Sequence, residues 1–102
     1  MVNESGLKPL GCAVLLKTYE AQKSLIAIPE HIRERNDMAE QRAVVVEVGP
    51  EAWRSERFPR AVPGDKVLFT KFAGYSAQGP ADGQLYRVVN DRDIFLSIVE
   101  ES

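Results

Sequence analysis

Short apolar runs alternate with polar and turn-forming segments along the chain, and none of the runs has the length of a typical helix. The runs are rich in β-branched residues, a composition that favours strands. They span Cys12–Leu16, Val44–Val48, Lys66–Phe69, Leu85–Val89 and Ile94–Val99. Several short strands separated by turns predict an all-β fold, a small barrel or sandwich, in one domain over residues 1–102.

Turn-forming residues mark the ends of these strands. Gly49-Pro50 stops the second run, and Val62-Pro63-Gly64-Asp65 places Pro and Gly at the central positions of a type II turn that precedes Lys66. Asp82-Gly83 is a tight-turn pair within a Gly/Pro-rich loop over 78–83. Asp91 and Asp93 share a polar turn, where capping or solvation explains them better than acid–base chemistry.

Two segments lack a strand pattern. Residues 1–8 are expected to be a loose terminus. Residues 49–60 hold Trp53, Phe58 and Pro59 among charges, which predicts either an irregular excursion or a small hairpin.

The longest polar connection follows the first strand, from Lys23 to Gln41, and opens with Leu25-Ile26-Ala27-Ile28-Pro29. Connections of this length in small domains are generally functional or disordered. We interpret residues of about 18–41 as a binding arm that the remaining chain presents. A loop with at most one turn of helix is favoured, and a helix starting at Pro29 stays open. The alternative is that Ile26 and Ile28 belong to an ordinary core strand.

Charge and composition narrow the class of partner. The net charge of −2 gives no electrostatic reason to expect nucleic acid or an anionic membrane. No apolar run approaches the roughly 20 residues that cross a bilayer, and the N-terminus lacks the pattern of a signal peptide. Cys12, the single cysteine, is expected to be buried, in a protein of the reducing cytoplasm.

Residues for catalysis are scarce. One histidine, His31, and one cysteine do not supply a nucleophile–base pair or a closed zinc site, and no Gly-rich phosphate loop precedes a helix. The sequence therefore predicts no enzyme, no cofactor and no metal. An oligonucleotide-binding barrel, with Phe72, Tyr75 and Tyr86 stacking bases near Lys71 and Arg87, is an alternative that the acidic balance disfavours.

An apolar strand near each end of a small barrel would leave edges exposed. We therefore expect a ring of identical subunits, in which the last strand of one subunit pairs with the first strand of the next.

In order and spacing, these motifs resemble the GroES-type co-chaperonin family from about Pro9 to Glu100. The segments that carry the resemblance are Pro9-Leu10 with the strand to Lys17, Ile26-Ala27-Ile28-Pro29-Glu30, Val45-Val46-Glu47-Val48-Gly49, Val62-Pro63-Gly64-Asp65-Lys66-Val67-Leu68-Phe69, Phe72-Ala73-Gly74 and Asp93 to Val99. The chain departs from the family at two places. Ser24-Leu25 replaces paired glycines, and residues 49–60, where the family has its roof segment, have a sequence of their own.

The resemblance implies a GroES-like β-barrel with a mobile loop, a roof hairpin and a heptameric dome that caps an ATP-bound GroEL-type chaperonin ring. It implies that Leu25, Ile26, Ala27, Ile28 and Pro29 dock into apical grooves of that ring. It further implies that Glu51, Ala52 and Trp53 lie toward the roof orifice and that Phe72 faces the enclosed cavity. The alternative is a β-barrel adaptor or assembly protein of the same fold that binds a different partner.

Overall fold

One antiparallel sheet makes up the part of the chain that the computed structural model describes, residues 2–19, 41–70 and 72–100. Its strands are β1 (Ala13–Tyr19), β2 (Gln41–Val48), β3 (Lys66–Phe69), β4 (Tyr75–Gln78), β5 (Leu85–Asn90) and β6 (Ile94–Ser97). They are hydrogen-bonded in the order β4-β5-β1-β2-β3-β6. The only helical element among these residues is a 3₁₀ turn at Asp91–Asp93, and the predicted all-β fold is confirmed.

The two faces of the sheet carry separate apolar clusters. The larger, here called the inner cluster, joins residues of β1, β2, β3, β5 and β6 to the connecting segments. It consists of Val14, Leu16, Ala43, Val45, Trp53, Ala61, Val67, Phe69, Ala73, Val89 and Ile94. The outer cluster consists of Leu15, Val46 and Tyr86, with Leu7 and Val88 packed against it. Because neighbouring positions of a strand face opposite ways, Leu15 and Leu16 are both buried, in different clusters.

A bulge between β1 and β2 sets which residues of β2 face inward. The pairing passes from Leu15 opposite Glu47 to Leu16 opposite Val45, which leaves Val46 as the extra residue. Strict alternation after Val45 would put Glu47 in the inner cluster. The bulge shifts the alternation so that Val48 packs there instead, and a carboxylate is kept out of the core.

The predicted turns that precede β3 and β6 are confirmed. Gly64 has φ +100°, and the Asp65 N–H donates to the Val62 carbonyl at 3.0 Å, as in a type II turn. The strand that follows has the predicted bounds, Lys66–Phe69. Asp93 caps its turn by accepting the Asn90 N–H at 3.0 Å. Residues 50–58 form turns and bends, the irregular alternative to a hairpin.

The expected loose terminus is wrong, because hydrogen bonds fix residues 3–7. The Ser5 hydroxyl, fully buried, donates to Asn3 Oδ1 at 2.6 Å and accepts the Leu7 N–H at 2.9 Å. The Ser5 carbonyl accepts the Ala81 N–H at 2.9 Å, and the Asn3 side-chain amide donates to Glu47. The terminus is therefore pinned to the loop between β4 and β5 and to β2.

Three further expectations are corrected. Strand β4 was not predicted, because Tyr75-Ser76-Ala77-Gln78 contains no β-branched residue and only one bulky apolar side chain; it gains its structure from pairing with β5. Cys12 is exposed, since it precedes β1 at a turn rather than lying within a buried strand. The first strand is not an edge: β1 lies between β5 and β2, and the unpaired edges among the described strands belong to β4 and β6.

Candidate partner-binding surfaces

The predicted arm joins the sheet at two neighbouring points. Strand β1 ends at Tyr19 and β2 begins at Gln41, so both strands extend slightly into the predicted range of 18–41. Tyr19 pairs with Arg42, and the Lys66 ammonium lies 5.4 Å from the Tyr19 ring centroid. Both ends of the arm therefore attach side by side at one end of the sheet. Residues 25–29, the predicted contact residues, and His31 lie outside the described residues.

Phe72 lies in the turn that joins β3 to β4, and its side chain is 74% exposed. It follows Phe69, which pairs with Gln41 at the end of the sheet where the arm attaches. The next residue, Ala73, belongs to the inner cluster. The turn thus places one apolar side chain in the core and an adjacent aromatic ring in solvent.

The predicted roof residues lie at the opposite end of β1 from Tyr19. Seven residues of strand separate these ends by roughly 20 Å. The Glu51 N–H donates to the Gly11 carbonyl at 2.9 Å, and Glu51 also pairs with Arg54 at 2.6 Å. Glu51 and Ala52 are half-buried, whereas Trp53 is only 3% exposed and packs in the inner cluster.

Asp91 holds Trp53 in place. The Trp53 N–H donates to Asp91 Oδ2 at 2.7 Å, and the indole N–H donates to the Asp91 carbonyl at 2.9 Å. Trp53 has φ +55°, a conformation that costs a non-glycine residue roughly 1–2 kcal/mol. The sequence predicts only capping or solvation for Asp91. The residues lie 38 positions apart, so no local signal connects them.

An apolar groove runs along the outer face of the sheet beside the outer cluster. One wall comes from the pinned N-terminal segment and the other from β4. The lining residues are Leu7, Lys8, Pro9, Leu10, Ala13, Leu15, Tyr75, Ala77 and Val88. Leu10 and Tyr75 are largely exposed. The groove carries no signal in the sequence, because it depends on the pairing of β4 with β5 and on the hydrogen bonds of Ser5.

A second apolar surface lies at the far edge of the sheet, on β6 and the residues after it. Ile94 is buried, whereas Phe95 is 77% exposed and Leu96 and Val99 are also exposed. The Arg60 guanidinium lies 5.2 Å from the Phe95 ring centroid and donates to the Ile94 carbonyl at 2.6 Å. Among the described strands, β6 pairs on one side only, with β3.

Tyr86 and Asp82 form a polar contact at the end of the outer cluster. The Tyr86 hydroxyl donates to the Asp82 carboxylate. This hydrogen bond, together with burial, raises the pKa of Tyr86 to about 12, and the same bond lowers the pKa of Asp82. Tyr86 is buried while Phe72 and Tyr75 are exposed, so the three rings do not form the common stacking platform of the oligonucleotide-binding alternative.

The described residues contain no cluster of three or more His, Cys, Asp or Glu side chains arranged to hold a metal ion. Within the same ranges, no helix is long and apolar enough to cross a bilayer.

Comparison with known proteins adds an independent observation. The profile of the family described as "Chaperonin 10 Kd subunit" matches residues 6–98. The chain is 38% identical to "Co-chaperonin GroES" of Alkaliphilus metalliredigens, with 92% of this chain and 98% of that protein aligned. It is 37% identical to the protein of the same name from Clostridium novyi, over 92% and 98%, and 35% identical to that of Coprothermobacter proteolyticus, over 94% and 98%.

Proposed function

Because the chain belongs to the chaperonin 10 kDa subunit family, we propose that it is a co-chaperonin that closes an ATP-bound GroEL-type chaperonin ring and encloses folding proteins. The observation that carries this proposal is the family match over residues 6–98, together with relatives named co-chaperonins that align over nearly their whole length. The family consists of non-enzymatic chaperone subunits, and the proposed role is one of binding. Its site of action is the cytoplasm.

The arm makes the contact with the chaperonin. Burying Leu25, Ile26 and Ile28 contributes roughly 1.5–3 kcal/mol for each side chain. Ordering the loop costs about 1–2 kcal/mol for each residue, so a single arm binds weakly. Ala27 is a small contact between the two isoleucines, and Pro29 ends the apolar segment. The adjacent attachment of Tyr19 and Gln41 supports this role, because both ends of the loop then project from one place.

Several copies on one ring make this weak contact sufficient. Once one arm is bound, the others bind as intramolecular events, which raises avidity by about 10²–10⁴. A weak single contact also allows release when the chaperonin changes shape. The function therefore requires a homo-oligomer, which we propose to be the heptamer that the family resemblance implies.

Two apolar surfaces support ring assembly. The outer groove lies toward the β4 side of the sheet, and the exposed residues Phe95, Leu96 and Val99 lie on or beyond β6 at the opposite edge. Different surfaces at opposite edges suit a head-to-tail contact, which closes into a ring when the rotation between subunits permits. Because β1 is interior, β6 of one subunit meets the N-terminal wall of the groove, near Leu7 and Leu10, rather than the first strand of its neighbour.

The ends of the sheet then have different roles. The arm end faces the chaperonin, and Phe72, near that end, faces the enclosed cavity. Residues 49–60, at the other end, form the roof, with Glu51 and Ala52 toward its orifice. Trp53 anchors this segment through Asp91, which fixes the base of the roof to the barrel.

The test replaces the apolar tip of the arm. The double variant Ile26→Asp with Ile28→Asp is expected to sediment as the wild-type oligomer but to lose co-elution with a chaperonin ring in ATP. A control variant carries the same added charge at two exposed positions of the scaffold, Ser55→Asp with Gln84→Asp, and should still co-elute.

Two results would overturn the proposal. If the Ile26/Ile28 variant unfolds while the control folds, the isoleucines belong to the core and the arm interpretation is wrong. If the wild-type protein does not co-elute with the chaperonin in ATP, the chain is instead an adaptor with the same fold.

A further inference from the structure

We propose that Arg87 is a positioning residue that holds the turn carrying Phe72, so that the ring is presented in one orientation to apolar segments of an enclosed polypeptide. The use of Phe72 as a contact rests on the proposed function, whereas the action of Arg87 on the turn does not. Arg87 lies on β5, opposite Ser76 of β4.

The Arg87 guanidinium donates two hydrogen bonds to one carbonyl oxygen. Arg87 Nε and a terminal nitrogen both donate to the Ala73 oxygen, at 2.9 and 2.6 Å. The other terminal nitrogen lies 3.4 Å from the Ser76 hydroxyl. Two charge-assisted hydrogen bonds to one acceptor restrict the orientation of the peptide group between Ala73 and Gly74.

Further contacts hold the backbone at Phe72, Ala73 and Gly74. The Ala73 N–H donates to the Thr70 carbonyl at 3.0 Å, and the Phe72 N–H to the Thr70 hydroxyl at 3.4 Å. Gly74 has φ +65° and lies so close to the Val88 backbone that a Cβ atom would overlap the Val88 carbonyl. With Ala73 buried, the backbone from Phe72 to Gly74 has little freedom.

This arrangement suits a binding contact better than a simple connection. An exposed aromatic ring on a fixed backbone loses little conformational entropy when it binds an apolar partner. The position of Phe72, adjacent to a core residue and directed into solvent, is what Arg87 preserves.

The first experiment observes Phe72 directly and needs no chaperonin. With 4-fluorophenylalanine incorporated at position 72, the fluorine resonance of the otherwise wild-type protein should be shifted from its value in denaturant. Arg87→Met, which keeps an unbranched apolar stem but removes the guanidinium and all its donors, should move that resonance toward the denatured value. Arg87→Lys, which retains charge and a single donor group, should give an intermediate shift. An unchanged resonance in Arg87→Met would overturn the proposal.

The second experiment tests whether Arg87 acts through Phe72. The rate at which guanidinium-denatured malate dehydrogenase refolds with chaperonin and ATP is compared for wild type, Arg87→Met, Phe72→Ala and the double variant. Arg87→Met should lower the rate about threefold in the wild-type background and have no further effect in the Phe72→Ala background. An equal loss in both backgrounds would show a purely structural role and refute the proposal.

Failure of the proposed function and failure of the Arg87 proposal give different results. Loss of wild-type co-elution with the chaperonin would refute the proposed function and leave the fluorine result valid. If Arg87→Met does not assemble, Arg87→Lys replaces it in both experiments, with the same criteria.

Discussion

The inner and outer faces of the sheet both carry apolar side chains, but they bury them to different extents. The inner face gathers side chains from five strands around Trp53 and leaves them almost entirely buried. Among the described residues, the apolar side chains that the outer face buries are those of Leu15, Val46 and Tyr86, and the apolar groove beside them stays open. The same β1 strand serves both faces, with Leu16 inside and Leu15 outside.

We expect this difference to separate the stability of a subunit from its proposed capacity to bind. In the inner cluster, side chains from near both edges of the sheet meet. The outer face also carries polar contacts, such as those of Ser5 and of Tyr86 with Asp82, that fix its surroundings without filling the groove. We therefore expect inner substitutions to unfold the subunit, outer-face and edge substitutions to affect assembly, and loss of the Tyr86 hydrogen bond to have the smallest effect.

The largest expected effect is that of Trp53→Ala. The substitution removes a buried aromatic ring and the indole hydrogen bond to Asp91, and should lower the free energy of unfolding by about 3–5 kcal/mol. Urea unfolding followed by circular dichroism measures this loss, at one fixed protein concentration because the proposed assembly would make apparent stability depend on concentration.

Phe58→Ala is the matched control, since Phe58 is an exposed aromatic in the same segment. It should change the free energy of unfolding by less than about 0.5 kcal/mol. Equal losses in the two variants would show that Trp53 does not anchor residues 50–60 to the inner cluster.

The second effect concerns the edge at β6. Phe95→Ser should leave the fold of the subunit intact, because Phe95 is largely exposed, and should weaken assembly. Burial of a Phe side chain contributes about 1.5–3 kcal/mol, which corresponds to roughly a 10- to 100-fold rise in the dissociation constant for each contact. Sedimentation velocity over a dilution series measures this change.

Leu85→Ser tests whether the location of the exposed residue matters. Leu85 is exposed on β5, and it neither lines the groove nor lies on β6. The Leu85→Ser variant should assemble like the wild type. Comparable weakening by both substitutions would contradict the assignment of the contact to β6.

Much of the inner face was predictable from the sequence, because local chemistry determines it. The Pro63-Gly64 turn fixed where β3 begins, and apolar runs marked β1, β2, β5 and β6 to within a few residues. The bulge at Val46 was not predictable, since three consecutive valines satisfy either register. Its consequence, the exclusion of Glu47 from the core, depends on the pairing with β1.

The outer face was largely unpredictable for a related reason. Strand β4 contains Ser76 and Gln78, which have no strong strand preference, so it exists only through its pairing with β5. The order of residues 3–7 depends on hydrogen bonds from Ser5 and Asn3 to residues distant in the sequence, including Ala81 and Glu47. The predicted contact residues of the arm, from Leu25 to Pro29, remain a prediction from the sequence.

The smallest effect expected is that of Tyr86→Phe at the end of the outer cluster, and its pH dependence distinguishes a lost hydrogen bond from a loss of packing. Because the folded-state pKa of Tyr86 is raised to about 12 from its ordinary value of 10.0, its contribution to stability is fully present below pH 10 and is lost as the pH rises toward 12. The lowered pKa of Asp82 acts in the opposite range: its contribution is present above the ordinary value of 3.8 and is lost as the pH falls below it. The difference in unfolding free energy between wild type and Tyr86→Phe should therefore be constant near neutral pH and shrink at both extremes. Urea titrations at neutral pH, near pH 11 and near pH 3 measure that difference. A difference that stays constant across this range would mean that the ring of Tyr86, and not its hydrogen bond to Asp82, stabilises the outer face.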